Sequence, residues 1–252
     1  FTSDRGGSEN LWTMNTDGTA PAAFTEESVH RWTDPVWAPE PGWFLARKRM
    51  VDTRSIGIQE LWMLNAAGGA GVQITTLEAD PHAGEAAFSA DGRYIWFSTR
   101  NGRFEYDQNV HHGLWQIVRF DRQLGERTVV TSLSGGAVRP TPSPDGKTLA
   151  FISRDRAQTV LMLMDVVSGR LRRVADFLDK DAMEAFELRG AYPRMDWSPD
   201  GKELVFWAGG KLWRLDTATL NRAEIPFRAL VEHRVTDSVH PARRVGYGDV
   251  HA

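Results

Sequence analysis

Short runs of alternating apolar residues recur along the chain at a nearly constant interval. Trp43-Phe44-Leu45-Ala46, Tyr94-Ile95-Trp96-Phe97, Thr148-Leu149-Ala150-Phe151-Ile152 and Glu203-Leu204-Val205-Phe206-Trp207 are rich in aromatic and β-branched residues, which predicts a strand in each case. A turn precedes every run: Val36-Trp37-Ala38-Pro39-Glu40, Ala87-Phe88-Ser89-Ala90-Asp91-Gly92, Pro142-Ser143-Pro144-Asp145-Gly146 and Asp196-Trp197-Ser198-Pro199-Asp200-Gly201. Glu40, Asp91, Asp145 and Asp200 are 51, 54 and 55 residues apart. A second signature follows each run, as Leu61-Trp62-Met63-Leu64-Asn65, Leu114-Trp115-Gln116-Ile117-Val118, Leu161-Met162-Leu163-Met164-Asp165 and Leu212-Trp213-Arg214-Leu215-Asp216, before a glycine turn and a last short apolar run.

One unit therefore holds four strands, A to D, with an Asp-Gly turn between A and B. Glycine supplies the positive φ that a tight hairpin needs, aspartate bonds back to the turn backbone, and the preceding proline ends strand A. Glu40-Pro41-Gly42 puts proline where the other units have glycine, so that turn is expected to shift by one residue. Four-stranded repeats of about 50 residues with aromatic motifs predict an all-β fold, a β-propeller, rather than a sandwich of unrelated hairpins. The blades are expected at 30–75, 81–131, 137–175 and 192–227. Residues 1–25 read as a partial blade, because Phe1-Thr2-Ser3 aligns with the end of strand B. Residues 228–252 read as a tail or linker with one closing strand around Leu230–Val235. On this count the chain is expected to be a piece of a longer polypeptide. The one helix-like stretch is Asp181–Leu188, an Asp-x-x-Glu start with Gly190 as its stop.

Composition narrows the chemistry. The 252 residues contain no cysteine, which removes disulfides, thiolate metal sites and a cysteine nucleophile from them. Thirty Lys and Arg against 33 Asp and Glu, without a long run of one sign, argue against nucleic acid as a partner. No apolar run approaches 18 residues, so no transmembrane helix is predicted. Neither a Gly-x-Ser-x-Gly elbow nor a phosphate-binding glycine loop occurs. Adjacent His111 and His112 would point to opposite faces of a strand and suit a surface loop better than one metal. Trp37, Trp62, Trp115, Trp197 and Trp213 stand at repeat positions, where packing between blades explains them.

The Trp-Ser-Pro-Asp-Gly units resemble the TolB-like propeller repeat, which also occurs in tricorn-type and prolyl-oligopeptidase-type peptidases. Several stretches outside that consensus are similar to the propeller preceding the metal-dependent amidohydrolase barrel of large, exported bacterial proteins. These are Ala46-Arg47-Lys48 with Arg54-Ser55, Phe104-Glu105-Tyr106, Gly135 to Gly146, and Phe206-Trp207-Ala208-Gly209-Gly210-Lys211 leading to Glu224-Ile225-Pro226-Phe227. The resemblance implies a periplasmic or secreted scaffold that docks on or gates an amidohydrolase domain. It implies no cofactor in these residues and a divalent metal such as zinc in that further domain. The chain has no His-x-His pair, so no catalytic or metal-binding residue carries over. Two other readings stay open: a free-standing interaction module like TolB, and the gating propeller of a serine peptidase.

Propeller topology places the A–B and C–D turns on one face and the longer B–C and D–A connections on the other, where function is expected to sit. The long segments there are Arg47 to Glu60, Asn101 to Gly113 and Asp176 to Tyr192. With the strand starts lining the channel, the candidate binding residues are Arg47, Arg49, Phe104, Tyr106, His111, Arg139, Arg189 and Arg194. Arginine and aromatic residues are favoured interface anchors, and guanidinium groups suit carboxylates.

Overall fold

A computed structural model describes residues 1–52, 55–76, 78–100, 114–184 and 190–230. Among them every regular element is a strand, and the strands form five antiparallel meanders arranged as propeller blades. Blade I has three strands, β1 (Thr2–Ser3), β2 (Asn10–Thr13) and β3 (Ala22–Ala23). Blade II is β4 (Arg31–Trp37), β5 (Trp43–Asp52), β6 (Ser55–Asn65) and β7 (Val72–Gln73). Blade III is β8 (Gly84–Phe88), β9 (Tyr94–Arg100), β10 (Trp115–Asp121) and β11 (Glu126–Val129). Blade IV is β12 (Ala137–Pro142), β13 (Thr148–Asp155), β14 (Gln158–Asp165) and β15 (Leu171–Ala175), and blade V is β16 (Asp196–Trp197), β17 (Glu203–Ala208), β18 (Lys211–Asp216) and β19 (Arg222–Ile225). Of the helix expected at 181–188, residues 181–184 are described, and they form loop and turn.

The repeated turn motif is explained by hydrogen bonds. In blades III, IV and V the serine hydroxyl donates to the aspartate two residues on, at 2.5 to 2.7 Å, and accepts the backbone N–H of the first residue of the next strand. Those serine bonds are the largest cause holding the carboxyls of Asp91, Asp145 and Asp200 below the ordinary carboxylate range. Gly92, Gly146 and Gly201 take φ near +70°. In blade II the positive φ passes to Gly42, one residue later, as Pro41 requires, and the freed Glu40 pairs with Arg122 of blade III. The polar residue that ends each third strand is also a turn device. Asn65, Asp121, Asp165 and Asp216 each accept a backbone N–H two or three residues ahead.

The core lies between successive blades rather than inside one. Leu45, Leu61 and Met63 of blade II pack on Ala86, Ile95, Phe97 and Val118 of blade III. Trp96 and Ile117 pack on Ala137, Leu149, Phe151 and Met164 of blade IV. Val138, Ile152 and Leu161 join Trp197, Leu204, Phe206 and Leu215 of blade V.

Candidate functional site

Inner strands β4, β8 and β12 share one irregularity. Pairing with the next strand slips between Thr33 and Val36, between Gly84 and Ala87, and between Val138 and Thr141. At each slip a non-glycine residue enters the left-handed region: Asp34 at φ 57°, Glu85 at 55° and Arg139 at 58°. A bulge of this kind re-aims one side chain out of the pleat. Left-handed backbone costs about 1–2 kcal/mol at a residue with a Cβ, so each position needs compensating contacts. Arg194, just ahead of β16, occupies the matching place in blade V, four residues before the turn serine.

The four equivalent positions bring together two acids, Asp34 and Glu85, and two arginines, Arg139 and Arg194. Arg139 Nη1 lies 3.6 Å from Asp34 Oδ2, and its Nη2 lies 3.4 Å from Glu85 Oε1. Arg194 donates to Asp34 Oδ1 at 2.7 Å and to the Pro35 carbonyl. Glu85 accepts from Ser98 Oγ, from the Arg139 backbone N–H and from the Ala191 backbone N–H, so one carboxylate joins blades III and IV to the segment leading into blade V. Burial raises the Asp34 pKa, but the guanidinium groups of Arg139, Arg47 and Arg194 outweigh it and leave the carboxyl below its ordinary value. Arg139, Glu85 and Asp34 have side chains 5%, 2% and 11% exposed, whereas Arg194 is 49% exposed, so Arg194 is the member of the four most open to solvent.

The predicted loop arginines are placed differently. Of the stretch from Arg47 to Glu60, expected as an irregular loop, the described residues 47–52 and 55–60 belong to strands β5 and β6, and both Arg47 and Arg49 are buried. Arg47 donates to Thr33 Oγ1 at 3.0 Å and to Gln59 Oε1 at 3.2 Å. Gly84 makes room for it: a Cβ there would stand 3.1 Å from Arg47 Cδ. Burial, then the nearby Arg31 and Arg47, lowers the Arg49 pKa to about 10, which leaves it charged at neutral pH. A polar trio in sequence read as loop, but buried acceptors within the sheet let the strand continue. Phe104, Tyr106, His111 and Arg189 lie outside the described residues. The acidic half of the ring, Asp34 and Glu85, was not among the candidates; the available signal was a charge four residues before each turn inside an otherwise apolar inner strand. Among the described residues no three His, Cys, Asp or Glu side chains converge to hold a metal ion.

Tyr192 backs the ring. Its carbonyl accepts from Arg139 Nε at 2.8 Å, while its hydroxyl donates to the Trp207 carbonyl and accepts from Asp179 N–H. Burial is the main cause pushing its pKa up to about 12. A folded value above the unfolded one, about 10, means that stability complete below pH 10 falls as pH rises towards 12. Ultraviolet titration of the native protein should show one late tyrosine near 12, lost in Tyr192→Phe. A single phase near 10 would contradict this burial.

No protein-family model matches the chain. An uncharacterised protein of Agrobacterium fabrum, Atu1656, is 24% identical over 212 residues, covering 79% of this chain and 62% of the relative. Among solved structures, TolB from Acinetobacter baumannii superposes with a TM-score of 0.52 at 17% identity over 85% of this chain and 58% of that one. An oligogalacturonate lyase in complex with manganese gives a TM-score of 0.59 at 16% identity over 89% and 60%. These similarities show a TolB-like propeller fold. The chain spans about three fifths of the length of each of these proteins.

Proposed function

We propose that this propeller is a non-catalytic docking scaffold whose channel mouth engages a metal-dependent amidohydrolase domain of the same polypeptide, in the periplasm or outside the cell. The observation that carries the reading is the division of labour in the ring. Asp34, Glu85 and Arg139 are buried, with Arg139 paired to both acids, while half-exposed Arg194 is held by Asp34 and open to solvent. Charged groups fixed on a rigid scaffold set orientation and encounter rate for a partner. Any hydrolysis belongs to that further domain.

The test is association of this chain with the amidohydrolase-type domain of its full polypeptide, measured by titration calorimetry. Arg194→Ala should weaken association about tenfold or more while leaving the melting temperature nearly unchanged, since this arginine is half exposed. Unchanged association would remove Arg194 from the interface. A full reading frame without such a domain would leave the free-standing interaction module as the reading.

A further inference from the structure

The grooves between blades II and III, III and IV, and IV and V can be compared at one equivalent position, the residue that follows the third strand. Arg122, Val166 and Thr217 each donate their backbone N–H to the carbonyl just after the turn glycine, those of Arg93, Lys147 and Lys202, at 2.9 to 3.0 Å. Their side chains then diverge. Arg122 crosses from blade III to blade II: its guanidinium donates to the Gly92 carbonyl at 2.7 Å, pairs with Glu40 and lies 5.5 Å from the centre of the Phe88 ring. Val166 packs into the apolar cluster shared by blades III and IV. Thr217 turns back on its own blade, its hydroxyl donating to the Lys202 carbonyl at 3.0 Å, and between the four-stranded blades IV and V a groove of about 500 Å³ lies open.

The open groove keeps the groups that Arg122 binds in the filled one. By the repeat, Asp145 stands for Glu40, Gly201 for Gly92 and Trp197 for Phe88, and all three line the groove. The backbones are placed alike: a Cβ on Gly92 would stand 3.5 Å from the Pro39 ring, and one on Gly201 would stand 3.6 Å from that of Pro144. Asp145 uses Oδ1 for its turn bonds from Ser143 Oγ and the Lys147 N–H, and forms no ion pair among the described residues. Nothing among them donates to the Gly201 carbonyl, and no cation lies over the Trp197 ring. Carboxylate, carbonyl and aromatic face together are what a guanidinium recognises. Two arginines also reach this groove from blade IV. Arg170 answers the charge of Asp165, whose carboxyl is held below the ordinary range first by Ser168 and also by Arg170. Arg172 donates Nη2–H to the Thr217 carbonyl, while its Nη1 and Nε have no partner among the described residues. The groove therefore offers one uncommitted carboxylate and one partly uncommitted guanidinium, and suits a ligand that carries both signs.

We infer that the groove between blades IV and V binds arginine with a free α-carboxylate, as the amino acid or as the last residue of a peptide. The ligand's guanidinium takes the place that Arg122 fills between blades II and III, pairing with Asp145, donating to the Gly201 carbonyl and lying against Trp197. Its carboxylate accepts from Arg172. The site is on the face of the short turns and is independent of the docking role given to Arg194.

Titration calorimetry of the 252-residue chain with L-arginine, L-lysine and agmatine tests the site. L-arginine should bind about tenfold more tightly than L-lysine, which lacks the planar fork, and about tenfold more tightly than agmatine, which lacks the carboxylate. Asp145→Asn keeps the Oδ1 acceptor and gives an Asn-Gly turn, so it should fold and still weaken L-arginine about tenfold. Thr217→Arg supplies the guanidinium from blade V itself, and should abolish binding and raise the melting temperature. Arg172→Ala should bring L-arginine down to the affinity of agmatine. No binding of L-arginine at millimolar concentration, or binding that neither Asp145→Asn nor Thr217→Arg changes, would overturn the site. Equal affinity for L-lysine would overturn the guanidinium, and equal affinity for agmatine the carboxylate. The two sources are separated by a short peptide ending in arginine: tighter binding than the amino acid assigns the site to a partner's C-terminus, and weaker binding assigns it to free arginine.

Discussion

Arg139→Met is expected to lower the free energy of unfolding by about 3–5 kcal/mol, the range for removing one partner from a buried ion pair. Methionine keeps most of the stem's volume, so the loss comes from charge and hydrogen bonding rather than from a cavity. Glu85 and Asp34, 2% and 11% exposed, would keep their carboxylates with the main opposing charge between them gone, and the Tyr192 carbonyl would lose its donor. Urea unfolding at neutral pH measures the effect, and a loss below about 1 kcal/mol would show that the ring does not hold the blades. Adding Glu85→Gln should restore part of the loss, because the second change removes the charge that the first left stranded; a coupling of about 0.5–3 kcal/mol is the usual size for residues in contact.

The same substitution has a pH signature. Asp34 titrates below the ordinary carboxylate range in the folded protein, and a depressed pKa contributes stability that is complete above the unfolded value and is lost as pH falls through the folded value. Arg139 is the largest of the charges that depress it. In Arg139→Met the acid-dependent loss from Asp34 should therefore shrink, so that the gap between wild type and variant narrows as pH falls below the unfolded carboxylate value. A parallel drop at every pH would assign the destabilisation to packing alone.

How much of this is legible in the sequence depends on the range of the interaction. The propeller fold follows from local chemistry. Ser89, Asp91 and Gly92 make their bonds within five residues of one another, as do Ser143, Asp145 and Gly146, so the motif and the turn appear together in a short window. The shifted turn at Gly42 is equally local, since proline at Pro41 excludes the positive φ there. The charged ring is not local. Arg139 meets Asp34 across three blades and Glu85 across two, and neither acid carries a sequence mark stronger than its distance from the next turn. Arg47 was misplaced for the same reason, because its acceptors Thr33 and Gln59 lie on neighbouring strands and a window of charged residues reads as solvated loop. Trp37 shows the opposite failure. Its repeat position predicts burial between blades, yet it is 63% exposed, and among the described residues no strand of blade I covers it.

Gly135→Ala should be among the most damaging single substitutions in the chain, at about 3 kcal/mol or more, although it adds one methyl group. Gly135 is outside the left-handed region, so its glycine is not required by φ. The obstacle is distance: an alanine Cβ would come within 3.0 Å of the Arg154 carbonyl oxygen and carbon, closer than real Cβ contacts allow. Those are backbone atoms of β13 and cannot rotate away. The sheet cannot open locally either, because Ala137 and Val138 pair with Ser153 and Ile152, and Ser153 Oγ donates to the Gly136 carbonyl at 2.7 Å. Displacing Arg154 would also disturb its pairing with Asp181, which in turn holds Thr159. Gly146→Ala is the informative comparison. Gly146 sits at φ +71° with nothing within 4 Å of a Cβ, so only backbone strain opposes the change, at about 1–2 kcal/mol. Urea midpoints should therefore fall further for Gly135→Ala than for Gly146→Ala. The reverse order would mean that turn conformation, and not the close approach of two strands where blade IV begins, sets the demand for glycine in this repeat.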